Sequence, residues 1–269
     1  METIHIFDEF PYESSKETIH SKRTQLEPLI FDILKRKYFR FLEEFWQKNS
    51  VKINTNKSIV IIERRIHENL AFLLRNMFYF APSWNITVVC SDINYDYLET
   101  ICTNNKENVL LLPLFSGNPT RDSARNEYNI LLKSVEFYET LPFEHLFIVQ
   151  TDSYLRKPID ETILDYDYVA APFIWDNSSA GGGMSYRRRS SMIDICKNYK
   201  GLEEGEDCFM NAGIKALGYN MPEFMKGIEY IGESCFYVDP MGVHQWWTYF
   251  TNSFDHKELI FHNYLRLEV

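Results

Sequence analysis

The sequence has no cysteine pair spaced as a motif. Its five cysteines, Cys90, Cys102, Cys196, Cys208 and Cys235, are odd in number and scattered, with no CxxC. That argues against a disulfide framework and against a structural zinc site, and reduced thiols in a cytoplasmic compartment are the expectation. Long apolar runs are missing too. No window approaches the roughly 18 uninterrupted apolar residues that would suggest a membrane span, and the N-terminal METIHIFDEFPYESSKE is acidic and broken by Pro11, unlike a signal peptide. Positive charge is scarce: 28 Lys and Arg stand against 38 Asp and Glu, a formal net charge of −10. A nucleic-acid backbone is therefore not expected as the main partner, since phosphate binding needs a basic face. A small anionic ligand stays open if a few basic residues or a metal gather positive charge locally. Neither GxGxxG nor GxxxxGK[ST] occurs, so dinucleotide and Walker-type phosphate loops are unsupported.

What is present is a core. With 269 residues, 45% of them hydrophobic, the chain suffices for one large α/β domain or a domain with an appended piece. Residues 1–57 stand apart. Phe31, Leu34, Tyr38, Phe41, Leu42 and Phe45 share one helical face, which ends before the polar QKNSVKINTNKS. This reads as an N-terminal helical extension docked on the main domain, 58–269, or equally as the first layer of the fold. From Ser58 the pattern is regular: SIVIIE, NITVVCSD, ENVLLLPL and HLFIVQTD read as strands. Between them lie helical repeats: Leu70 to Ala81, YDYLETICTNN, and SARNEYNILLKSVEFYETL with Ser123 placed to cap it. Short apolar strands alternating with helices predict a mostly parallel sheet with right-handed crossovers and a ligand at the C-terminal strand ends. Beyond Asp152, YDYVAAPF reads as a strand, AGGGMSYRRRS as a glycine-rich turn into a strand or helix, and GEDCFMNAGIKALG as a helix.

Four stretches have residues suited to chemistry. Gln150-Thr151-Asp152 ends an apolar strand on an acid, and such a carboxylate either caps a turn or binds a hard divalent cation whose shell a ligand's phosphates complete. Gly181-Gly182-Gly183 permits close backbone approach to a ligand, or simply a flexible turn. Glu206-Asp207 opens an apolar helix, where carboxylates suit the helix N-terminus and one of them can also serve as a general base. His244, in GVHQWW, is either a packing residue or a metal ligand that completes a site begun by Asp152.

Taken in order, ERRIHENLAFLLRNMFYFAP, FIVQTDSYLRKPI, YDYVAAPF, GGGMSYRRRSSM, GEDCFM and GVHQWW resemble a domain family of unassigned function grouped with fold-type-A glycosyltransferases. The resemblance covers roughly residues 58 to 250 and rests on the order and spacing of the blocks. It implies a Rossmann-like α/β domain, a nucleoside-diphosphate sugar as donor, a glycan or glycoprotein as acceptor, and a divalent cation on the diphosphate, manganese or else magnesium. In such enzymes an Asp-x-Asp motif follows a central strand and its last acid ligates the metal. Here Gln150 takes the first acid's position and Asp152 the last.

Carried over residue by residue, the resemblance makes His244 the C-terminal metal-binding histidine. It makes Asp207 the base of an inverting transfer, with Glu206 the neighbouring alternative. Glu63, Arg65, Gln150 and Thr151 would lie by the nucleotide, and Gly182 and Gly183 would line the sugar-acceptor region. Two alternatives stay open: a catalytically silent nucleotide-sugar-binding protein, favoured by the missing acid at Gln150, and, less so, a nucleotidyl-transferring enzyme on a similar sheet.

Overall fold

The computed structural model describes residues 16–49, 52–117, 120–203, 205–250 and 256–269. Its strands are β1 (Lys57–Ile62), β2 (Asn85–Ser91), β3 (Val109–Phe115), β4 (His145–Val149), β5 (Ser153–Leu155), β6 (Tyr168–Phe173), β7 (Asp176–Arg188), β8 (Ile231–Gly232) and β9 (Gly242–His244). The helices are α1 (Lys16–Lys48), α2 (Leu70–Phe80), α3 (Tyr95–Cys102), α4 (Arg121–Leu132), α5 (Val135–Thr140), α6 (Arg189–Asn198), α7 (Glu206–Leu217), α8 (Phe224–Tyr230) and α9 (Lys257–Tyr264).

Six strands form the central sheet in the order β3-β2-β1-β4-β7-β6. β1 to β4 run parallel, and β7 is antiparallel to both of its neighbours. The chain thus adopts the expected α/β class, a mostly parallel sheet flanked by helices. Every residue of β2, and all of β1 after Lys57, is buried, which is why these strands are apolar throughout instead of alternating. The chain leaves β1 toward β2 and β3 on one side and returns through β4 on the other. The crevice between the C-terminal ends of β1 and β4 is therefore the topological switch point, where open α/β sheets bind ligands.

A second, three-stranded sheet, β5-β9-β8, takes over where β4 ends. Asn76 of α2 fixes its edge: the side chain accepts from Leu155 N–H at 2.8 Å and donates to Leu155 C=O at 2.9 Å, satisfying both backbone groups in the core. The register pairs Ser153 with His244 and Gly232 with Val243. The residues just beyond β4, beyond β8 and at the end of β9 are thereby brought to one place.

α1 lays Leu26, Ile30, Phe31, Leu34, Leu42 and Trp46 into the core that also holds Ile59, Phe72 and Phe147. Phe31 meets Phe72 and Tyr154 edge-on at 5.9 Å and Trp247 at 6.0 Å. On the anticipated apolar face Phe31, Leu34 and Leu42 are buried, whereas Phe41 is largely exposed and only edges against Tyr79.

Three local expectations are corrected. The helix expected across SARNEYNILLKSVEFYETL is two helices, because Ser134 adopts an extended backbone and caps α5 by accepting from Phe137 N–H at 3.2 Å. The first of them is capped not by Ser123 but by Thr120, whose hydroxyl accepts from Ser123 N–H at 3.3 Å. The Ala180–Met184 run, read as a turn, lies inside β7. α7 stops on Gly218, whose φ of 75° is a left-handed cap that glycine adopts without strain.

Candidate active site

The polypeptide leaves β4 through Gln150, Thr151 and Asp152 and enters β5, which pairs antiparallel with β9. Gln245 N–H donates to Asp152 C=O at 3.0 Å, locking the two strand ends together. Gln245 holds φ 30°, ψ 34°, a left-handed conformation uncommon outside glycine, and such conformations concentrate at functional sites. As a result Asp152 Oδ1 stands 3.2 Å from His244 Nε2, although 92 positions separate them in sequence. The other ring nitrogen, Nδ1, lies 2.9 Å from Glu233 Oε2, just past β8.

Two carboxylates flank one imidazole here, a position that favours positive charge, carried by the His244 proton unless a metal cation displaces it. Burial would push the His244 imidazole down, but Asp152 and Glu233 outweigh it and hold the group up at about 10. Burial likewise opposes the Asp152 carboxylate, and His244 more than offsets it, so the acid sits below its usual range. Asp152 Oδ1 and His244 Nε2 are both buried and face each other as an ion pair, with no further hydrogen-bond partner on either atom. Two ligand atoms bound to one cation at about 2.0–2.2 Å and at right angles lie about 3 Å apart. A carboxylate oxygen and an imidazole nitrogen at that separation, both lacking other partners, fit a divalent cation. With such a cation bound, Glu233 would be the outer carboxylate that fixes the tautomer and ring orientation of His244. Among the described residues no group of three or more His, Cys, Asp or Glu is placed to hold a metal, so phosphate oxygens and water would fill the remaining positions.

The glycine run has a steric cause. A Cβ on Gly183 would come within 2.2–2.8 Å of the His244 ring, one on Gly182 within 1.9 Å of Glu206 Oε1, and one on Gly181 within 3.1 Å of Glu233 Oε2. Successive residues of a strand face opposite ways. Gly181 and Gly183 therefore border the Glu233–His244 side of β7, and Gly182 borders Glu206 on the other.

Glu206 is engaged there. Its Oε2 accepts from Arg187 at 2.8 Å, and Arg187 is fully buried, bonded also to Ser185 and Tyr138 and lying over the Tyr168 ring. Burial pushes the Glu206 carboxyl up, and Arg187 only partly counters it. Asp207, one residue on, is half-buried, and its Oδ1 accepts from Cys208 N–H at 2.8 Å.

At the end of β1, Glu63 gathers the turn. Its carboxylate accepts from the Arg64 and Arg65 N–H groups and pairs with the Arg65 guanidinium at 2.7–2.9 Å, and that cation stays exposed. Asn94 donates to both Glu63 C=O and Arg65 C=O and fixes the loop from below. Across the switch point the Thr151 hydroxyl lies 3.5 Å from Glu63 Oε2, so the ends of β1 and β4 touch. Gln150 donates its N–H to Gly183 C=O, and its side chain reaches toward Tyr128.

Sequence reasoning missed three residues at this site. Glu233 lies in a segment without periodicity, IGESC. Glu27 and Arg23, one turn apart on α1, come from the N-terminal region, in which no site residue was expected. Glu27 accepts from Asn69, which also donates to Thr151 C=O at 3.4 Å. The Arg23 charge acts on both Asp152 and Glu27, and its Nε is buried with no hydrogen-bond partner. A cation one helical turn from Glu27 was legible only as an i, i+4 pair.

A family model described as "protein of unknown function" (DUF5672) matches residues 118–244, a span that includes Asp152, Glu206, Asp207, Glu233 and His244. No curated protein matches the chain. Among solved structures, the apo form of the glycosyltransferase GlyE of Streptococcus pneumoniae TIGR4 is similar at 13% identity with a TM-score of 0.49. That match covers 78% of this chain and 60% of that one, so the chain spans three-fifths of GlyE's length. A cytidylyltransferase of Leptospira borgpetersenii serovar Hardjo-bovis is similar at 14% identity with a TM-score of 0.39, covering 62% of this chain and 75% of that one.

Proposed function

We propose that this protein is a metal-assisted glycosyltransferase that moves a sugar from a nucleoside-diphosphate donor to a glycan or protein-linked acceptor with inversion. The observation that carries the reading is the convergence of Asp152 Oδ1 and His244 Nε2, 3.2 Å apart and otherwise unpartnered, beside the switch point of the sheet. Asp152 and His244 would hold manganese or magnesium, and the cation would neutralise charge on the departing diphosphate. Arg65, steadied by Glu63, lies on the nucleotide side with Thr151, and Arg23 adds a second guanidinium near Asp152. These few cations answer the overall deficit of positive charge.

In the transfer itself the acceptor oxygen attacks the anomeric carbon. The carbon–oxygen bond to the diphosphate breaks and that oxygen keeps the electron pair. The acceptor proton passes to Asp207, the acid of the pair at the start of α7 that is not committed to Arg187. A second reading, a binding protein without turnover, draws on Gln150 standing where related sites have an acid.

Thermal stabilisation by UDP, GDP and ADP, each with and without manganese, followed by donor hydrolysis, separates these readings. Metal-dependent stabilisation together with hydrolysis supports the transferase. Stabilisation without hydrolysis or transfer across a broad donor and acceptor panel supports the silent binder. No stabilisation by any of the three removes both.

A further inference from the structure

The turn between β6 and β7 exposes an indole that the core has no use for. Trp46, Trp84, Trp246 and Trp247 are each at most 1% exposed, whereas Trp175 is 61% exposed. It is not a stray side chain, because its ring stacks on Phe173 at 4.7 Å with 17° between planes and leans toward Tyr249 at 5.9 Å and 46°. The three rings form one aromatic plate in the sense of a stack: Phe173 covers one face of the Trp175 ring and Tyr249 flanks it, while Trp175 stays exposed. An exposed apolar surface of this kind commonly marks a binding site.

The plate is fixed relative to the candidate cation site. Phe173 Cε1 and Glu233 Oε2 lie 3.0 and 3.1 Å from the position a Cβ would take on Gly181, so the inner end of the plate shares a strand residue with the carboxylate that orients His244. The hairpin is tied to the same strip. Ile174 N–H donates to the Ser234 hydroxyl at 3.1 Å, and that hydroxyl lies 3.3 Å from Pro172 C=O.

Position selects the ligand. In the sheet order β1-β4-β7-β6 the nucleotide side, Glu63 and Arg65, lies at β1, while the plate rises from β6, two strands beyond β4. Strands are spaced about 4.8 Å apart, so the plate stands about 10 Å past the end of β4, on the side away from the nucleotide. A nucleobase held at β1 is on the wrong side to reach it. A sugar beyond the diphosphate is not, because the C–H face of a pyranose carries partial positive charge that suits the negative face of an aromatic ring.

We propose that Phe173, Trp175 and Tyr249 form a carbohydrate platform that stacks on a pyranose ring of the acceptor, a deepening of the transferase reading on which it rests. Trp175 is the open face, Phe173 its backing and Tyr249 its edge.

The chain can be titrated with the methyl glycosides of glucose, galactose, mannose and N-acetylglucosamine and with their β-linked disaccharides, reading heat by isothermal titration calorimetry. The expected result is a saturable change from at least one of them, lost in Trp175→Ala by about tenfold or more in affinity and largely kept in Trp175→Phe, which retains a stacking face. UDP, GDP and ADP should bind the wild type and Trp175→Ala alike. Silence with every saccharide overturns the platform, and so does a Trp175→Ala variant that loses nucleotide instead of saccharide, which would make the plate a base-stacking site. Saccharide binding in a protein that no nucleoside diphosphate stabilises would keep the platform and overturn the transferase reading.

Discussion

At the scale of single residues, the site depends on His244 being held from both sides. Glu233 bonds Nδ1 and leaves Nε2 facing Asp152, and Gly183 leaves room for the ring. Glu233→Gln keeps the shape but replaces the charged acceptor with an amide that can donate as easily as accept. Metal affinity, read as the manganese-dependent rise in melting temperature, should fall by about 10–100-fold with the metal-free melting temperature little changed. Gly183→Ala acts on the same ring by collision. The added methyl would sit 2.2 Å from the imidazole, so His244 must move, at a cost of about 1–3 kcal/mol of stability together with loss of the manganese response. If Glu233→Gln retains the full metal response, Glu233 is a packing partner that does not orient His244 toward a cation.

At the scale of elements, α7 separates two adjacent acids. Helical geometry turns neighbouring side chains about 100° apart, and burial of Glu206 against Arg187 leaves the Asp207 carboxylate outside that ion pair, bonded to the adjacent Cys208. Asp207→Asn should lower transfer by about 10²–10⁴-fold with donor binding nearly intact. Glu206→Gln removes a buried partner of a fully buried guanidinium, so it should cost about 3 kcal/mol or more of folding stability and affect rate mainly through that loss. Measured kcat, donor Kd and urea midpoints tell the two apart, and near-wild-type transfer in Asp207→Asn would sink the inverting mechanism.

The elements themselves were largely legible, since strands buried on both faces write continuous apolar runs and α2 repeats at helical spacing. The break at Ser134 was not, because SARNEYNILLKSVEFYETL keeps one amphipathic phase through it. Nor was the place of Gly181–Gly183 inside β7, because the reason for three glycines lies in Glu233, Glu206 and His244, which reach them from distant parts of the chain. Asp152 and His244 were readable as candidates from their local context. Their meeting depends on the pairing of β5 with β9, which no local pattern encodes.

At the scale of the whole molecule, α1 is coupled to the site by packing and by charge. Its apolar face is part of the core beneath the sheet, and its Glu27 carboxyl faces Asp152, Arg65, Glu68, Arg23 and His67. Burial first and the Asp152 charge second push Glu27 up from 4.5 to about 7, with Arg65 and Arg23 pulling the other way. A carboxyl whose folded value exceeds its unfolded one binds an extra proton when folded. Its contribution to stability is therefore complete below 4.5, declines as pH rises, and is gone above about 7. One unit is worth about 1.4 kcal/mol, so the whole loss is at most about 3 kcal/mol. Glu27→Gln keeps an oxygen for the Asn69 amide and removes the ionisation. Urea denaturation in metal-free buffer, stepped from about pH 4.5 to pH 8, should show the variant gaining on the wild type across that window and then running parallel to it. A stability difference that stays flat with pH would mean that Glu27 ionises freely in the folded protein, and that α1 meets the site by packing alone.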